Sequence, residues 1–425
     1  MREVLMLSLS FSMLLSTPAL ADPLTYNGPL TMNQAVARAR DAGFDVRLLQ
    51  ADAETAKAQA RSARAQTLPQ IGVSGTVLKA DLPQLGMPVA RQTYFSANAS
   101  VPILAASQLF SAQAAAIAGA GSEISVGEAR NDAAYEIIQI YHRVQLADAL
   151  IGARTIGLQA QQNHLQTTKL RVAAGKSPRY LLARDRAALA GAEQDLEDAS
   201  AQRDQALNDL KAALDYNLDS KIHVTDTLRV EPFDLTRDAA LTRSQELRPA
   251  VAAARRQLDA AQTRVRAVRA QYIPTITGSA QTYSGSSSPA LGHTGYQVGV
   301  SANLPIVDGG TRSAGIAQAV AEVHRTQTRY EQLRLFAQRD VLNAYRELQA
   351  ASTNLQTSRS ARANTQEQLR IAQLREASGK GIYLEVLDAL TVAANARENV
   401  LSAITRYDNA VAGVQHGTGD LSIIK

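Results

Sequence analysis

The chain has 425 residues, no cysteine, no tryptophan and only 4% aromatic residues. Disulfides and thiolate metal sites are excluded, and Ala, Gln, Arg and Leu stand where a compact core would need bulkier side chains, as they do in long packed helices. The net charge of +5 is carried by both signs interspersed, as in EQDLEDASAQRDQ, which reads as a solvated helical face and not as a nucleic-acid surface.

Residues 1–21 read as a cleavable signal peptide. Arg2 precedes an apolar stretch from Val4 to Leu15, and Ala19-Leu20-Ala21 offers small residues at the spacing signal peptidase uses. The mature chain is expected to begin near Asp22 and to be exported. No Cys follows the apolar stretch, so acylation is not expected. No later apolar run is long enough for a spanning helix, so any membrane crossing must be a β-barrel.

A helical segment runs from Leu30 to Leu68 and ends at Pro69, because the residue before proline is pushed out of the helical region. A strand pair is predicted over residues 70–103. Phe95, Ala97, Ala99, Val101 and Ile103 alternate with Ser96, Asn98, Ser100 and Pro102, which is strand spacing. The intervening DLPQLGMPVARQ reads as a loop. Leu104 to Ala174 reads as a long helix without proline, weakened by Gly119, Gly121, Gly127, Gly152 and Gly157. It stops at Gly175-Lys176, and a return helix covers about Tyr180 to Leu214.

The second half runs through the same plan. A helical segment from Leu235 to Ile273 ends at Pro274, and a strand pair is predicted over 274–306 around the loop SGSSSPALGHTG. Tyr296, Val298, Val300, Ala302, Leu304 and Ile306 share one face; Gln297, Gly299, Ser301, Asn303 and Pro305 share the other. Ile316 to Ser378 contains no Gly or Pro over 63 residues, about 95 Å as one helix. Leu333, Phe336, Val341, Leu348 and Leu355 mark its packing stripe, and helices this long need partners along their length. A Gly379-Lys380 stop and a return helix over Ile382 to Val411 complete the half. RAQTLPQ and RAQYIPT, Leu30 and Leu235, Tyr141 and Tyr345, Gln145 and Gln349, Gly175 and Gly379 recur in the same order at offsets of 204 or 205 residues. This predicts a tandem duplication, with repeats at 22–225 and 226–425.

Each strand is expected to be about ten residues, near the length that crosses a bilayer in a tilted barrel. One face is apolar or small and the other polar. Four strands cannot close alone, since single-chain barrels start at about eight. The barrel reading therefore requires several chains, two giving eight strands and three giving twelve. The alternative is two separate hairpins capping a helical rod, which isolated hairpins are poorly able to sustain.

The whole of Leu30 to Val414 resembles the TolC-type outer membrane factors. The motifs that carry the resemblance are Leu304-Pro305-Ile306-Val307-Asp308-Gly309-Gly310 at a strand-to-helix junction and Tyr383-Leu384-Glu385-Val386-Leu387-Asp388 after a helix turn. The resemblance implies a mainly α fold with a small β part, in which a homotrimer forms a periplasmic α-barrel and a 12-stranded barrel in outer-membrane lipid. It implies a passive exit channel of a Gram-negative tripartite efflux pump or type I secretion system, partnered by a periplasmic adaptor (a membrane fusion protein) and an inner-membrane transporter. Pro69, Pro102, Pro274 and Pro305, with Asp308, Gly309 and Gly310, would sit at the crossings from helix to strand. Glu385 and Asp388, three apart on one helix face, would form acidic rings of a periplasmic gate. The turns Gly175-Lys176-Ser177 and Gly379-Lys380-Gly381 would be the adaptor-docking tips. Solvated surface charge and ordinary turn chemistry also account for these two groups. The first half departs from the pattern: its junction reads PILAASQ, and its helix turn has Pro178 and no acidic pair.

Enzyme and cofactor chemistry find no support. The six histidines have no metal-ligand spacing. The AGKS at Ala174–Ser177 is not a phosphate loop, because Leu170 stands where that loop needs glycine. The remaining alternative is a periplasmic coiled-coil adaptor or scaffold, which would need no lipid-facing strands.

Overall fold

The computed structural model of the protein describes residues 24–82, 87–230, 232–287, 291–419 and 421. The expected signal peptide, residues 1–21, lies outside them. A short β1 (Gly28–Leu30) leads to α1 (Met32–Ala42) and α2 (Phe44–Ala65), then β2 (Gln70–Leu82), β3 (Met87–Leu104), the 68-residue α3 (Ala106–Ala173) and α4 (Arg179–Ala213). The second half comprises β4 (Ile222–Val224), α5 (Arg237–Glu246), α6 (Pro249–Arg269), a 3-10 turn over Ala270–Tyr272, β5 (Thr275–Ser287), β6 (Leu291–Asn303), the 67-residue α7 (Thr311–Ala377) and α8 (Tyr383–Thr418). At 1.5 Å per residue, α3 and α7 are each about 100 Å long.

Local chemistry explains most boundaries. Thr31 caps α1: its Oγ1 accepts the Gln34 N–H while its own N–H donates to Gln34 Oε1 at 3.0 Å. Thr236, at the corresponding place before α5, accepts the Ala239 N–H. The leading helix of each half, expected as one segment, is broken in two. Gly43 adopts an extended ψ of 142° between α1 and α2. Pro249 opens α6 and forces Arg248 out of helical conformation. By contrast, α3 runs unbroken through its five glycines. At Gly121 a Cβ would lie 3.1 Å from Arg256 Cβ and 3.5 Å from the Ala253 carbonyl, so glycine lets α6 approach closely.

The long helices form a single layer. Near the sheet α3 packs between α2 and α6, and α6 packs on α7; further away α3 packs between α4 and α8, and α8 packs on α7. Buried Ala114, Ala253, Ala260, Ala261 and Ala267 keep these seams thin. Along α7, Val341, Leu348 and Leu355 recur every seventh residue and are buried, a coiled-coil seam.

Two larger cores sit at corresponding heights. One gathers Leu30, Ile137, Tyr141, Val144, Leu210, Leu214 and Ile222; the other gathers Ala240, Val341, Leu348, Ala351, Ala410 and Val414. Each fully buried Leu, Ile or Val contributes about 1.5–3 kcal/mol. Both cores are tied by the same tyrosine contact: Tyr141 Oη donates to the Leu30 carbonyl at 2.9 Å, and Tyr345 Oη donates to the Leu235 carbonyl at 2.7 Å. Burial, together with the Asp226 carboxylate 2.8 Å away, holds the Tyr141 phenol above its usual pKa. Strands β1 and β4 pair in parallel, Leu30 opposite Val224, and lash the chain's start to the segment between the halves.

The remaining four strands make one antiparallel sheet in the order β2-β3-β5-β6. They are 13, 18, 13 and 13 residues long, longer than the ten expected, because most of both linkers, DLPQLGMPVARQ and SGSSSPALGHTG, continues the ladder as strand. The second hairpin ends earlier than expected: β6 stops at Asn303, leaving Leu304, Pro305 and Ile306 in the crossing.

Candidate functional site

The register of the sheet makes its two faces continuous across both hairpins. Ile71 pairs with Ala99, Ala99 with Ala280 and Ala280 with Val298; Val73, Ala97, Thr282 and Tyr296 form the next row. The apolar positions of the four strands therefore share one face. Ile71, Val73, Tyr296 and Val298 are 82%, 79%, 84% and 73% exposed on it. Such a face is far too apolar for water. The opposite face carries Ser74, Ser96, Asn98, Ser279, Gln281, Gln297 and Ser301, with Ser74 and Ser96 hydrogen-bonded across β2 and β3 at 2.7 Å. Within the chain, the outer edges of β2 and β6 have no partner strand among the described residues.

Every strand continues its own helix, and the order α2-α3-α6-α7 repeats the order β2-β3-β5-β6. One side of this helical wall is hollowed into an open groove of about 720 Å³ that spans all four helices. Its lining is mainly Ala, Gly and Thr with the amides of Gln59, Gln257, Gln271 and Gln318; Arg264 and Glu322 are its charged members.

The crossings from strand to helix hold the predicted prolines. Pro69 and Pro274 directly precede β2 and β5, and Pro305 follows β6. Pro102 lies inside β3, opposite Thr277, where the pairing slips before Leu104; with no N–H to donate, it belongs at such a bulge. Asp308, Gly309 and Gly310 form a tight turn. Both glycines have left-handed φ, 61° and 89°, and Gly310 caps α7. The Asp308 carboxylate accepts from the Gly310 N–H, the Arg312 N–H and, at 2.6 Å, Arg312 Nε. Arg312 thereby holds the Asp308 carboxyl below its usual pKa. The buried Arg312 guanidinium also lies 4.3 Å from the ring centroid of Tyr272, at the other crossing of the same half. Reading the sequence singled out Asp308 but missed Arg312 and Tyr272. In the first half, by contrast, Ala105 caps α3 without a side-chain hydrogen bond.

At the far end, both helix turns are Schellman motifs. Gly175 has φ 67°, its N–H donates to the Val172 carbonyl, and the Lys176 N–H donates to that of Arg171. Gly379, with φ 71°, and Lys380 repeat this on Glu376 and Arg375. Ser177 follows the first turn. Gly381 follows the second so closely that a Cβ would meet Arg375 Cβ at 3.0 Å. Glu385 and Asp388 are both exposed at the start of α8. Glu385 is not a free carboxylate: Arg375 Nε stands 3.6 Å from it, a pair missed in the sequence. The first hairpin instead buries Asp185, whose carboxylate lies 3.1 Å from His164 Nε2. Arg171 of α3 binds Glu376 of α7 at 2.6 Å and joins the two hairpins.

Among the described residues no helix is long and apolar enough to cross a membrane, and no His, Asp and Glu cluster could hold a metal ion. A one-layer wall of helices running strand by strand into an amphipathic sheet defines the wall of an outer-membrane channel. The chain belongs to the family described as outer membrane efflux protein, whose sequence profile matches it twice, over residues 35–215 and 240–420. It is an outer-membrane efflux channel of a Gram-negative bacterium, with a large periplasmic part. Its relatives include the cobalt-zinc-cadmium resistance protein CzcC of Cupriavidus metallidurans, 23% identical over 402 residues, covering 92% of this chain and 90% of that one. The outer membrane protein VceC of Vibrio cholerae superposes with a TM-score of 0.78 at 19% identity, covering 92% of this chain and 96% of the other. The open MtrE outer membrane channel of Neisseria gonorrhoeae gives a TM-score of 0.79 at 20% identity, covering 92% and 89%.

Proposed function

We propose that three copies of the mature chain, beginning near Asp22, close side by side into one passive conduit, with 22–225 and 226–425 as two repeats of the wall. The observation that carries this reading is the four-stranded sheet with one apolar exposed face and two open edges. Joining β6 of one copy to β2 of the next satisfies both edges, and twelve strands make a barrel where four cannot. The hollowed, mostly uncharged side of the helices then lines the periplasmic duct.

The duct serves a tripartite efflux pump or a type I secretion system. An inner-membrane transporter supplies the energy, and a periplasmic adaptor docks at the tips around Gly175, Lys176, Ser177, Gly379, Lys380 and Gly381. Glu385, beside Arg375 of its own chain, and Asp388 line the periplasmic gate, where two rings of three carboxylates attract cations. Similarity to CzcC over most of both chains makes cobalt, zinc and cadmium the first cargoes to assay. The chain carries out no chemistry of its own.

The test is the mass of the protein extracted from outer membranes, corrected for bound detergent. A stable trimer is expected. A monomer or dimer that stays in solution without detergent would replace the channel with a periplasmic scaffold.

A further inference from the structure

The ends of α2 and α6 next to the sheet carry the same pair of arginines. Arg61 and Arg64 recur as Arg266 and Arg269, each at an offset of 205 residues, and all four residues are exposed. None of the four guanidinium groups has an ion pair or hydrogen bond among the described residues. The sequence offers no counter-charge close by, since no Asp or Glu lies between Glu54 and Gln70 or between Asp259 and Asp308. The nearest acids of the neighbouring helices and crossing are already held: Lys57 binds Glu123 at 2.9 Å, Arg312 binds Asp308 at 2.6 Å and Arg325 binds Glu322 at 2.6 Å. A helix dipole favours one cation in the last turn, but a second cation three residues away on the same face repels it. Four uncompensated charges in each chain call for an anion from outside the fold.

Their side of the wall and their height say which anion. At about 100° per residue, Arg61 stands about 140° round α2 from Ala56 and about 160° from Gln59, and Arg266 stands about 160° round α6 from both Arg264 and Val268; these four neighbours line the groove. Arg64 and Arg269 are about 80° or more from every groove residue of their helices. The wall is one layer of helices, so the arginines lie off the groove side, on the outside of the conduit. Arg64 comes four residues before Leu68, and Arg269 comes four before Ile273 and three before Tyr272; Leu68, Tyr272 and Ile273 are exposed, and the lipid-facing Ile71 follows on β2. Four residues of helix rise about 6 Å, close to the depth of one headgroup layer, about 5–8 Å. Arg61 and Arg266 stand about 4.5 Å further from the sheet. Apolar and tyrosine side chains at the lipid boundary with cations one turn outside are the pattern of a membrane interface. The leaflet on the helix side of an outer membrane is phospholipid.

Resting on the channel reading, we infer that Arg61, Arg64, Arg266 and Arg269 form a binding surface for the phosphates of anionic phospholipid in the inner leaflet of the outer membrane. A planar guanidinium meets two phosphate oxygens at once, and its attraction to an anionic surface acts within a Debye length of about 8 Å. Both halves of the chain carry the pair, so every repeat of the wall contributes to a collar of cations beneath the barrel. A headgroup layer held this way fixes the depth at which the barrel sits.

The experiment compares the wild-type chain with Arg61→Gln/Arg64→Gln/Arg266→Gln/Arg269→Gln, both extracted from outer membranes, delipidated in detergent and offered an equal mixture of phosphatidylglycerol and phosphatidylethanolamine. Native mass spectrometry counts each lipid retained per chain. Wild type should prefer phosphatidylglycerol, and the quadruple variant should retain roughly tenfold less of it and show no preference. The same four positions changed to Lys keep the charge and should keep the preference. Arg359→Gln, an exposed position in the distal part of α7, should behave as wild type. If the quadruple variant fails to reach the outer membrane, the double variants Arg64→Gln/Arg269→Gln and Arg61→Gln/Arg266→Gln carry the comparison. Equal retention by wild type and variants, or no preference in the wild type, overturns the surface while leaving the channel intact. Unchanged lipid retention with lost transport would also overturn it and assign the arginines to a protein partner. A wild-type chain absent from the outer membrane overturns the channel reading itself.

Discussion

Arg248 offers the sharpest test of how the two halves are held together. It stands at the break between α5 and α6, with its guanidinium 3.1 Å from Glu128 of α3 and 3.0 Å from Asp340 of α7. Arg248 and Glu128 are only 14% and 16% exposed, and Asp340 is 33% exposed. Burial alone would depress the Arg248 pKa, but the two carboxylates outweigh it and raise it. Breaking one partner out of a buried pair costs about 3–5 kcal/mol. Here the orphaned groups retain some support. Glu128 still accepts the Ala250 N–H, and Asp340 keeps Arg339. Arg248→Met should therefore cost about 2–3 kcal/mol, which for a chain of this size lowers the melting midpoint by roughly 2–4 °C. The assay is thermal unfolding followed by circular dichroism in detergent. Adding Glu128→Gln to Arg248→Met should recover part of the loss, because one uncompensated charge disappears. Arg325→Ala removes the shorter but exposed Arg325–Glu322 pair, 2.6 Å apart, and should leave the midpoint unchanged. An Arg248→Met midpoint within 1 °C of wild type, or a double variant less stable than the single, would refute the reasoning.

Other substitutions probe separate parts of the chain. Gly379→Ala places a side chain at φ 71° and should destabilise the second hairpin by about 1 kcal/mol, seen as faster backbone hydrogen exchange at that tip. Glu385→Ala with Asp388→Ala should change single-channel conductance or reduce cation preference in a planar bilayer; identical traces would return both residues to surface charge. Burial holds the His142 imidazole below its usual pKa, against the opposing hydrogen bond to Asn409. Its contribution to stability is thus present above the unfolded value of about 6.5 and is lost as pH falls below it; melting midpoints across that range should flatten in His142→Gln. Tyr345→Phe leaves the Leu235 carbonyl without its 2.7 Å donor and should cost about 1 kcal/mol, measurable as a lowered melting midpoint.

What could be read in the sequence depended on how local its cause was. Period two marked the strand faces, because alternation is imposed residue by residue; Phe95–Ile103 and Tyr296–Ala302 lie on the faces it assigned. Thr31 and Thr236, which follow the repeated Leu30 and Leu235, are caps. The helix break before Pro249 was also local and could have been found, since proline at the first helical position is an ordinary start signal. Other features were beyond reach. Three-residue β1 and β4 pair across most of the first half, and nothing so short shows a period. At the candidate site, acidic residues were singled out without their partners: Arg312 and Arg375 take meaning only from where the turns bring them. The spacing of Tyr141 and Leu30 against Tyr345 and Leu235 was visible, but not that each pair is a hydrogen bond.

The matched order of helices and strands imposes a taper. Packed helices stand about 8–10 Å apart, whereas strands tilted by about 40° take up roughly 6 Å of perimeter each. A wall that keeps the same four neighbours must therefore shrink by roughly a quarter to two-fifths as it passes from helix to sheet. The chain has to lean inward at every crossing, and each crossing must hold that lean. The second half uses the Asp308–Arg312–Tyr272 knot, and the first uses the slip at Pro102. In the conduit proposed above, the backbone of the wall is therefore narrower at the sheet than along the helices that adjoin it. Enlarging side chains on the polar face of the sheet should throttle passage sooner than the same change in that adjoining part of the helices.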